Sequence, residues 1–368
     1  MFLRSKAIRW TITASAAALT LGLGSCGQSD APTASTSGAA SPSAAGSPVV
    51  TENVTLSGAG ASFPAPLYQR WFSDFNKTNP TVTVSYQSVG SGAGVKQFIA
   101  GTVDFGASDV AMKDEEIKQV PKGALLLPMT AGSIVLAYNL PDLKTPLKLS
   151  RAVVGDIFLG KIKKWNDAAI AKANPGAKLP DSAIGVVYRS DGSGTTGVFT
   201  KFLSAISADW KTKVGDGKTV NWPTGTGAKG NEGITAQVQQ NKGSVGYVEY
   251  GYAKQNGLTF ATLENKSGSF IEPSDASAQA TLAAAKLPDN LRVFITDPDG
   301  KDAYPIVTYS WILAYKTYSD ANKVKALKAI VNYGLTEGQK TSPELGYVAL
   351  PEAVVTKVKT AVDSIAVK

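Results

Sequence analysis

Val82-Thr83-Val84-Ser85-Tyr86 alternates apolar and polar residues, and the loop Ser88-Val89-Gly90-Ser91-Gly92-Ala93-Gly94 follows almost at once. Alternation with period two marks a half-buried strand, whereas Val95, Phe98 and Ile99 beyond the glycines fall at helical spacing. The same order of strand, glycine-rich turn and helix returns on both sides of this stretch. Upstream, Val54-Thr55-Leu56 reads as a strand, Ser57-Gly58-Ala59-Gly60 as a turn, and Pro64 as a first helical residue after Ser62-Phe63. Leu67, Trp71, Phe72 and Phe75 then form an apolar stripe that belongs in a core. Downstream, Val103-Asp104-Phe105-Gly106-Ala107-Ser108-Asp109 reads as a strand with a polar tip. Residues 184–188 form another strand, after which Arg189-Ser190-Asp191-Gly192-Ser193-Gly194 opens a helix through Val198, Phe199 and Phe202. Gly246-Tyr247-Val248-Glu249-Tyr250 and residues 306–315 add strands, and residues 322–333 a helix. The apolar run 125–138, broken by Pro128 and by Ala131-Gly132-Ser133, suits strands that pass between lobes. Repeated units of this kind predict an α/β fold with a largely parallel sheet.

The first residues follow different rules. Arg4, Lys6 and Arg9 precede an apolar run from Ile12 to Leu23, which has the flanks and length of a secretory signal. That run ends in Leu23-Gly24-Ser25-Cys26, and Cys26 is the one cysteine of the chain. This ending resembles the lipobox of bacterial lipoproteins, in which the cysteine receives lipid and becomes the mature N-terminus. From Gln28 to about Thr51 the residues are almost all Ser, Ala, Gly, Thr and Pro, too poor in apolar surface to offset chain entropy, so a disordered tether is expected. The formal charge of +8 falls to +5 once the three cations of the signal leave. Its lysines are scattered, with no basic and aromatic array of the kind that binds nucleic acid. The chain has no histidine, which excludes Ser-His-Asp and Cys-His catalysis and every histidine-containing zinc site. With no cysteine after Cys26 there is no disulfide or thiolate chemistry, and no metal or cofactor is expected.

Three places share one design. Ser62-Phe63, Ser91-Gly92-Ala93 and Ser193-Gly194-Thr195 each precede a helix. A helix start offers N–H groups without intrahelical partners and the positive end of the dipole. Hydroxyls add short donors, and glycine allows close approach. Taken singly, each loop is also an ordinary N-capped helix; converging, they make a cage for a tetrahedral oxyanion. Arg189 supplies a cation whose fork matches phosphate oxygens, and Asp191 stands where it can orient the guanidinium. Asp109 is the most diagnostic residue. A carboxylate among the donors tolerates an anion only where a proton lies between them. Phosphate at neutral pH keeps a proton and sulfate has none, so Asp109 would select phosphate. The other reading of Asp109 is a solvated residue at a strand end.

Gly58 through Pro66, Val103 through Asp109, Arg189 with Asp191 through Thr195, and Gly246 through Tyr250 resemble the phosphate-binding subunit (PstS) of the high-affinity bacterial phosphate ABC importer. Ile157 through Trp165 and Gly346-Tyr347-Val348-Ala349-Leu350-Pro351 match that family too, in the same order along essentially the whole mature chain. The resemblance implies a two-lobed α/β architecture of periplasmic-binding-protein type II, with two hinge-crossing strands and the ligand in the interlobe cleft. It implies a signal peptide over 1–25, a lipidated Cys26 and tether over 26–52, one lobe from 53–139 and 303–368, and a second from 140–302. The first lobe would contribute Ser62, the Phe63 N–H, Ser91 and Asp109 to phosphate. The second would contribute Arg189, Ser193, the Gly194 N–H and Thr195, with Asp191 steadying Arg189. Ser62 stands where the family often has threonine, which keeps the hydroxyl. The partners implied are inorganic phosphate, the permease and ATPase of an importer, and a membrane reached through the lipid, with the protein a monomer in the periplasm or at the cell surface.

The competing classes are a phosphatase or esterase, a binding protein for sulfate or molybdate, and a surface adhesion or scaffold lipoprotein. A nucleophile elbow needs glycine two residues before the serine, where Asp191 and Val89 stand instead. A P-loop needs Gly-Lys-Ser/Thr at its end, whereas Gly225 to Gly230 runs on to Asn231. The expectation is therefore a binder that does no chemistry on its ligand.

Overall fold

The computed structural model describes residues 49–368. The expected signal, the Cys26 lipidation site and the tether up to residue 48 lie outside them. The chain enters through β1 (Val54–Gly60), α1 (Ala65–Thr78), β2 (Val82–Ser88), α2 (Ser91–Ala100) and β3 (Phe105–Ser108). β1 lies between β2 and β3 and runs parallel to both, as strands joined by helical crossovers must. Leu67, Trp71, Phe72 and Phe75 of α1 are buried, as their spacing requires. β1 continues through Ser57-Gly58-Ala59-Gly60, which reads as a turn in the sequence. Glycine is there for closeness: a Cβ on Gly58 would lie 2.1 Å from the Phe105 ring, and one on Gly60 2.1 Å from the Ala107 carbonyl. Helix α1 starts at Ala65 rather than Pro64, which occupies the position before it.

The centre of the molecule is carried by β4 (Ala124–Tyr138). Of its 15 residues all but Leu125 are buried, so it shows a continuous apolar run rather than alternation. Its first part pairs antiparallel with β8 (Val307–Tyr315), from Ala124↔Tyr315 to Ser133↔Val307. Its last part pairs with β7 (Ser244–Glu249), from Ile134↔Glu249 to Tyr138↔Val245. One strand thus belongs to two sheet segments and changes neighbour between Ser133 and Ile134. Pro128 is tolerated inside it because the register shifts there, with Ser310 opposite Thr130 and Trp311 opposite Pro128. β8 also pairs with β3, which ties the first segment together.

The second segment is built from β5 (Gly185–Arg189), β6 (Thr226–Ala228) and β7, in the order β7-β5-β6 and all parallel. Its crossovers include α3 (Gly194–Ile206) and α4 (Gly230–Gln240). The main path of the nine-stranded sheet is β2-β1-β3-β8-β4-β7-β5-β6, with the short strand Thr259–Phe260 pairing antiparallel to the end of β4 off this path. The chain returns through Ala303-Tyr304-Pro305-Ile306, where the Ile134 N–H donates to the Ile306 carbonyl at 2.9 Å and the Tyr304 hydroxyl to the Ile134 carbonyl at 3.1 Å. Two crossings therefore run side by side at Ile134 and Ile306. The C-terminal stretch adds α5 (Ala321–Leu335), packed on the first segment, and α6 (Glu352–Asp363). Among the described residues no helix is long and apolar enough to cross a membrane.

Candidate functional site

The ends of β1 and β3 in one segment face the ends of β5 and β7 in the other. Ser62 lies past β1, Ser91 is the first residue of α2, Asp109 follows β3, and Ser193 caps α3, accepting from the Thr196 N–H at 3.0 Å. All four are buried, as are Phe63, Arg189, Gly194 and Thr195. The eight residues expected to contact phosphate are therefore withdrawn from solvent between the two segments, while Asp191 behind Arg189 is half-buried. Among the described residues no protein acceptor meets the backbone N–H of Phe63, Ser91, Gly194 or Thr195. Buried N–H groups left this way are costly unless a ligand or water accepts from them.

The two halves touch through bare backbone. The Gly92 N–H donates to the Gly192 carbonyl at 2.7 Å. A Cβ on Gly194 would lie 2.4 Å from Ser91 Oγ and 2.7 Å from Asp109 Oδ2. One on Gly90 would lie 2.3 Å from Asp191 Oδ2, and Gly90 has φ +88° as well. These glycines let opposite loops close to contact distance.

Arg189 is held as the sequence suggested. Its Nε donates to Asp191 Oδ1 at 2.7 Å and Nη2 to Oδ2 at 2.6 Å, a two-bond fork. Asp191 Oδ1 also accepts from the Gly230 N–H at 3.0 Å. Burial works against the charges of both partners, but the bond and attraction between them prevail. The Arg189 guanidinium is held above its ordinary value and the Asp191 carboxyl below its own. Nη1 is left to reach Thr195 Oγ1 at 3.4 Å.

Asp109 is 2 % exposed, so it is not a solvated strand end. Its Oδ1 accepts from Ser310 Oγ at 2.8 Å, Oδ2 from Ser91 Oγ at 3.4 Å, and its N–H donates back to Ser91 Oγ at 3.2 Å. Burial pushes its carboxyl up to about 7, against the opposing pull of the Ser310 bond, the Arg189 charge and the Ser91 bond.

Asn231 escaped the sequence reading. It was legible only as a residue that spoils a P-loop, yet it is fully buried at the start of α4 and bonds to both halves of the cage. Its N–H and Nδ2 donate to Ser62 Oγ at 3.1 and 2.9 Å, and Nδ2 also to Thr195 Oγ1 at 3.3 Å. Tyr252 and Tyr347 were not anticipated either; their hydroxyls donate to the Ser62 and Phe63 carbonyls at 2.8 and 2.7 Å. The available signal was a further helix start after β6, Gly230-Asn231, which lacks the leading serine of the other three.

Two α/β segments joined by paired crossing strands, with helix starts from both meeting between them, define a two-lobed periplasmic-binding-protein fold of type II. The PBP superfamily domain model matches residues 31–334. The chain is 48% identical to the phosphate-binding protein PstS of Pasteurella multocida over 84% of this chain and 90% of that one. It is 46% identical to PstS of Haemophilus influenzae over 83% and 92% of the two chains. It belongs to the PstS family of phosphate-binding proteins. The solved phosphate-binding protein from Stenotrophomonas maltophilia, at 22% identity, has the same fold, with a TM-score of 0.67 over 84% of this chain and 94% of that one.

Proposed function

We propose that this chain captures inorganic phosphate outside the cytoplasmic membrane and delivers it to an ABC-type importer without altering it. The observation that carries the reading is Asp109, a buried acceptor set among donors from both lobes. Ser62, Ser91, Ser193 and Thr195 would contribute hydroxyls, Phe63 and Gly194 backbone N–H groups, and Arg189, steadied by Asp191, the positive charge. The lobes would be 53–139 with 303–368, and 140–302. An open form binds the anion on one lobe, hinge closure desolvates it between both, and the closed form docks on the permease. Backbone and hydroxyl donors hold the anion without surplus charge, so opening releases it.

Calorimetric titration of the purified protein with phosphate and with sulfate tests the ligand. Phosphate should bind far more tightly, and equal affinity for sulfate would sink the assignment. Turnover of a chromogenic phosphate ester, abolished by Ser193→Ala, would overturn the reading as a binder. The membrane anchor rests on Cys26: the parent protein should fractionate with membranes and Cys26→Ala should be soluble. Sedimentation of the soluble variant as a dimer would contradict the expected monomer.

A further inference from the structure

We infer that Asn231 sets the hydrogen-bond polarity of the cage, by filling the lone pairs of the Ser62 and Thr195 hydroxyls so that each has only its proton to offer a ligand. A hydroxyl has one proton and two lone-pair sites. Ser62 Oγ accepts two N–H groups of the same residue, the Asn231 backbone N–H at 3.1 Å and Nδ2 at 2.9 Å. Thr195 Oγ1 accepts the second Nδ2 proton at 3.3 Å and Arg189 Nη1 at 3.4 Å. Both hydroxyls are fully buried or nearly so, with no water-facing surface on which to find other partners. Neither oxygen has acceptor capacity left. The remaining hydrogen-bonding function of each is donation, which is what an unprotonated phosphate oxygen requires.

The amide is itself held in the orientation that does this. Its Oδ1 accepts from the Glu249 N–H at 3.0 Å, at the end of β7. Turning the amide over would put Nδ2 against that N–H and Oδ1 against two hydroxyl oxygens. It would exchange three good bonds for a donor clash and would let Ser62 and Thr195 spend their protons on Oδ1. The Glu249 N–H is fixed by the sheet, because Glu249 is paired with Ile134 on the crossing strand. Asn231 therefore links the sheet, the 140–302 side through Thr195, and the 53–139 side through Ser62. Asp109 is the complement, an acceptor whose Oδ1 is already met by Ser310. The cage thereby has donors at Ser62 and Thr195 and an acceptor at Asp109, each with its direction imposed from behind. Asn231 does not itself reach the anion in this scheme; it is a positioning residue.

This inference rests on the phosphate-binding reading, and a double-mutant cycle separates the two. Phosphate affinity is measured by calorimetry at one pH for the parent, Asn231→Ala, Ser62→Ala and the double variant, with melting in phosphate-free buffer to confirm that each is folded. Asn231→Ala should weaken binding about tenfold, the scale of a buried hydrogen-bond defect. In the Ser62→Ala background the same change should weaken it by about threefold or less, because one of the two hydroxyls it orients is gone. Asn231→Asp, of the same shape, provides a second test if the alanine variant fails to fold. Its carboxylate accepts the Ser62 and Thr195 protons, so its loss should exceed that of alanine and shrink in the Ser62→Ala background. An equal factor in both backgrounds, or a change under twofold at Asn231, overturns the inference while phosphate binding by the parent stands. No phosphate binding by the parent would overturn the functional reading instead.

Discussion

At the residue scale the informative group is Asp109, whose carboxyl is pushed from 3.8 up to about 7, first by burial. The unfolded chain loses this proton near 3.8 and the folded protein keeps it to about 7. Between those values the folded state binds the extra proton, so the contribution of Asp109 to stability falls as pH rises from about 4 to about 7 and is level above. Asp109→Asn removes that penalty. At about 1.4 kcal/mol per pKa unit, the variant should gain a few kcal/mol at pH 8 in phosphate-free buffer, and none at pH 4. Thermal melting across that range checks the sign; a variant less stable than the parent at pH 8 would contradict it. The same titration bears on selectivity. Above about pH 7 an ionised Asp109 demands a proton from the ligand, which HPO4²⁻ has and sulfate lacks. Below it, the carboxyl carries its own proton and can donate to either anion. The preference for phosphate over sulfate should therefore be larger at pH 8.5 than at pH 5.5, and small at both in Asp109→Asn. Calorimetry with both anions at both pH values decides it, and a preference independent of pH would refute the role. The position of Asp109 at a strand tip was legible in the sequence. Its burial was not, since that depends on Ser91 and Ser310, the latter 201 residues away.

At the scale of elements, every main-path strand but β6 and the helices α1, α2, α3 and α5 followed from periodicity, whereas α4 and α6 did not. Misreadings came where glycine serves packing rather than turning. Ser57-Gly58-Ala59-Gly60 has a turn's composition and a strand's geometry, because Phe105 and the Ala107 backbone occupy the space a Cβ would need. Conversely, Gly230-Asn231 reads in the sequence only as a stretch without a P-loop ending, and nothing local shows that Asn231 lies against Ser62, 169 residues away. The start of α3 gives a sharp test. Gly194, the first residue of α3, needs no left-handed backbone, so alanine fits its local conformation. Its N–H would survive substitution. The obstacle lies across the cleft, where the new Cβ would be 2.8 Å or less from Ser91 Oγ and from Asp109 Oδ2 and Cβ. Gly194→Ala should leave melting without phosphate unchanged or slightly raised, and weaken phosphate binding about tenfold or more, since overpacking typically costs about 1–3 kcal/mol. Unchanged affinity would mean that the lobes do not close to this separation around the anion.

For the whole molecule, the sequence carried the α/β class and the apolar run 125–138, but not how that run divides. The handover from β8 to β7 between Ser133 and Ile134 is a property of strand order, which distant pairings fix. That handover, with the antiparallel return of the chain beside it at Ile306, is where a hinge between the lobes would lie, and the Gly92 and Gly192 loops, one from each lobe, meet backbone to backbone. A Cβ on Gly92 would lie 3.1 Å from the Gly192 Cα and carbonyl oxygen. Those atoms cannot step aside as a side-chain end can; relief requires moving one loop against the other. A branched side chain there acts as a wedge between the lobes. Gly92→Val has no positive φ to forbid it, so each lobe should fold and melt as in the parent. The closed form would be the state penalised, and apparent affinity falls in proportion to the fraction of molecules able to close. In small-angle scattering the parent should contract on adding phosphate, while Gly92→Val at the same phosphate concentration should keep its phosphate-free radius of gyration. Contraction of the variant equal to that of the parent would show that closure does not bring these two loops together, and the hinge axis would have to be sought elsewhere than at Ser133–Ile134.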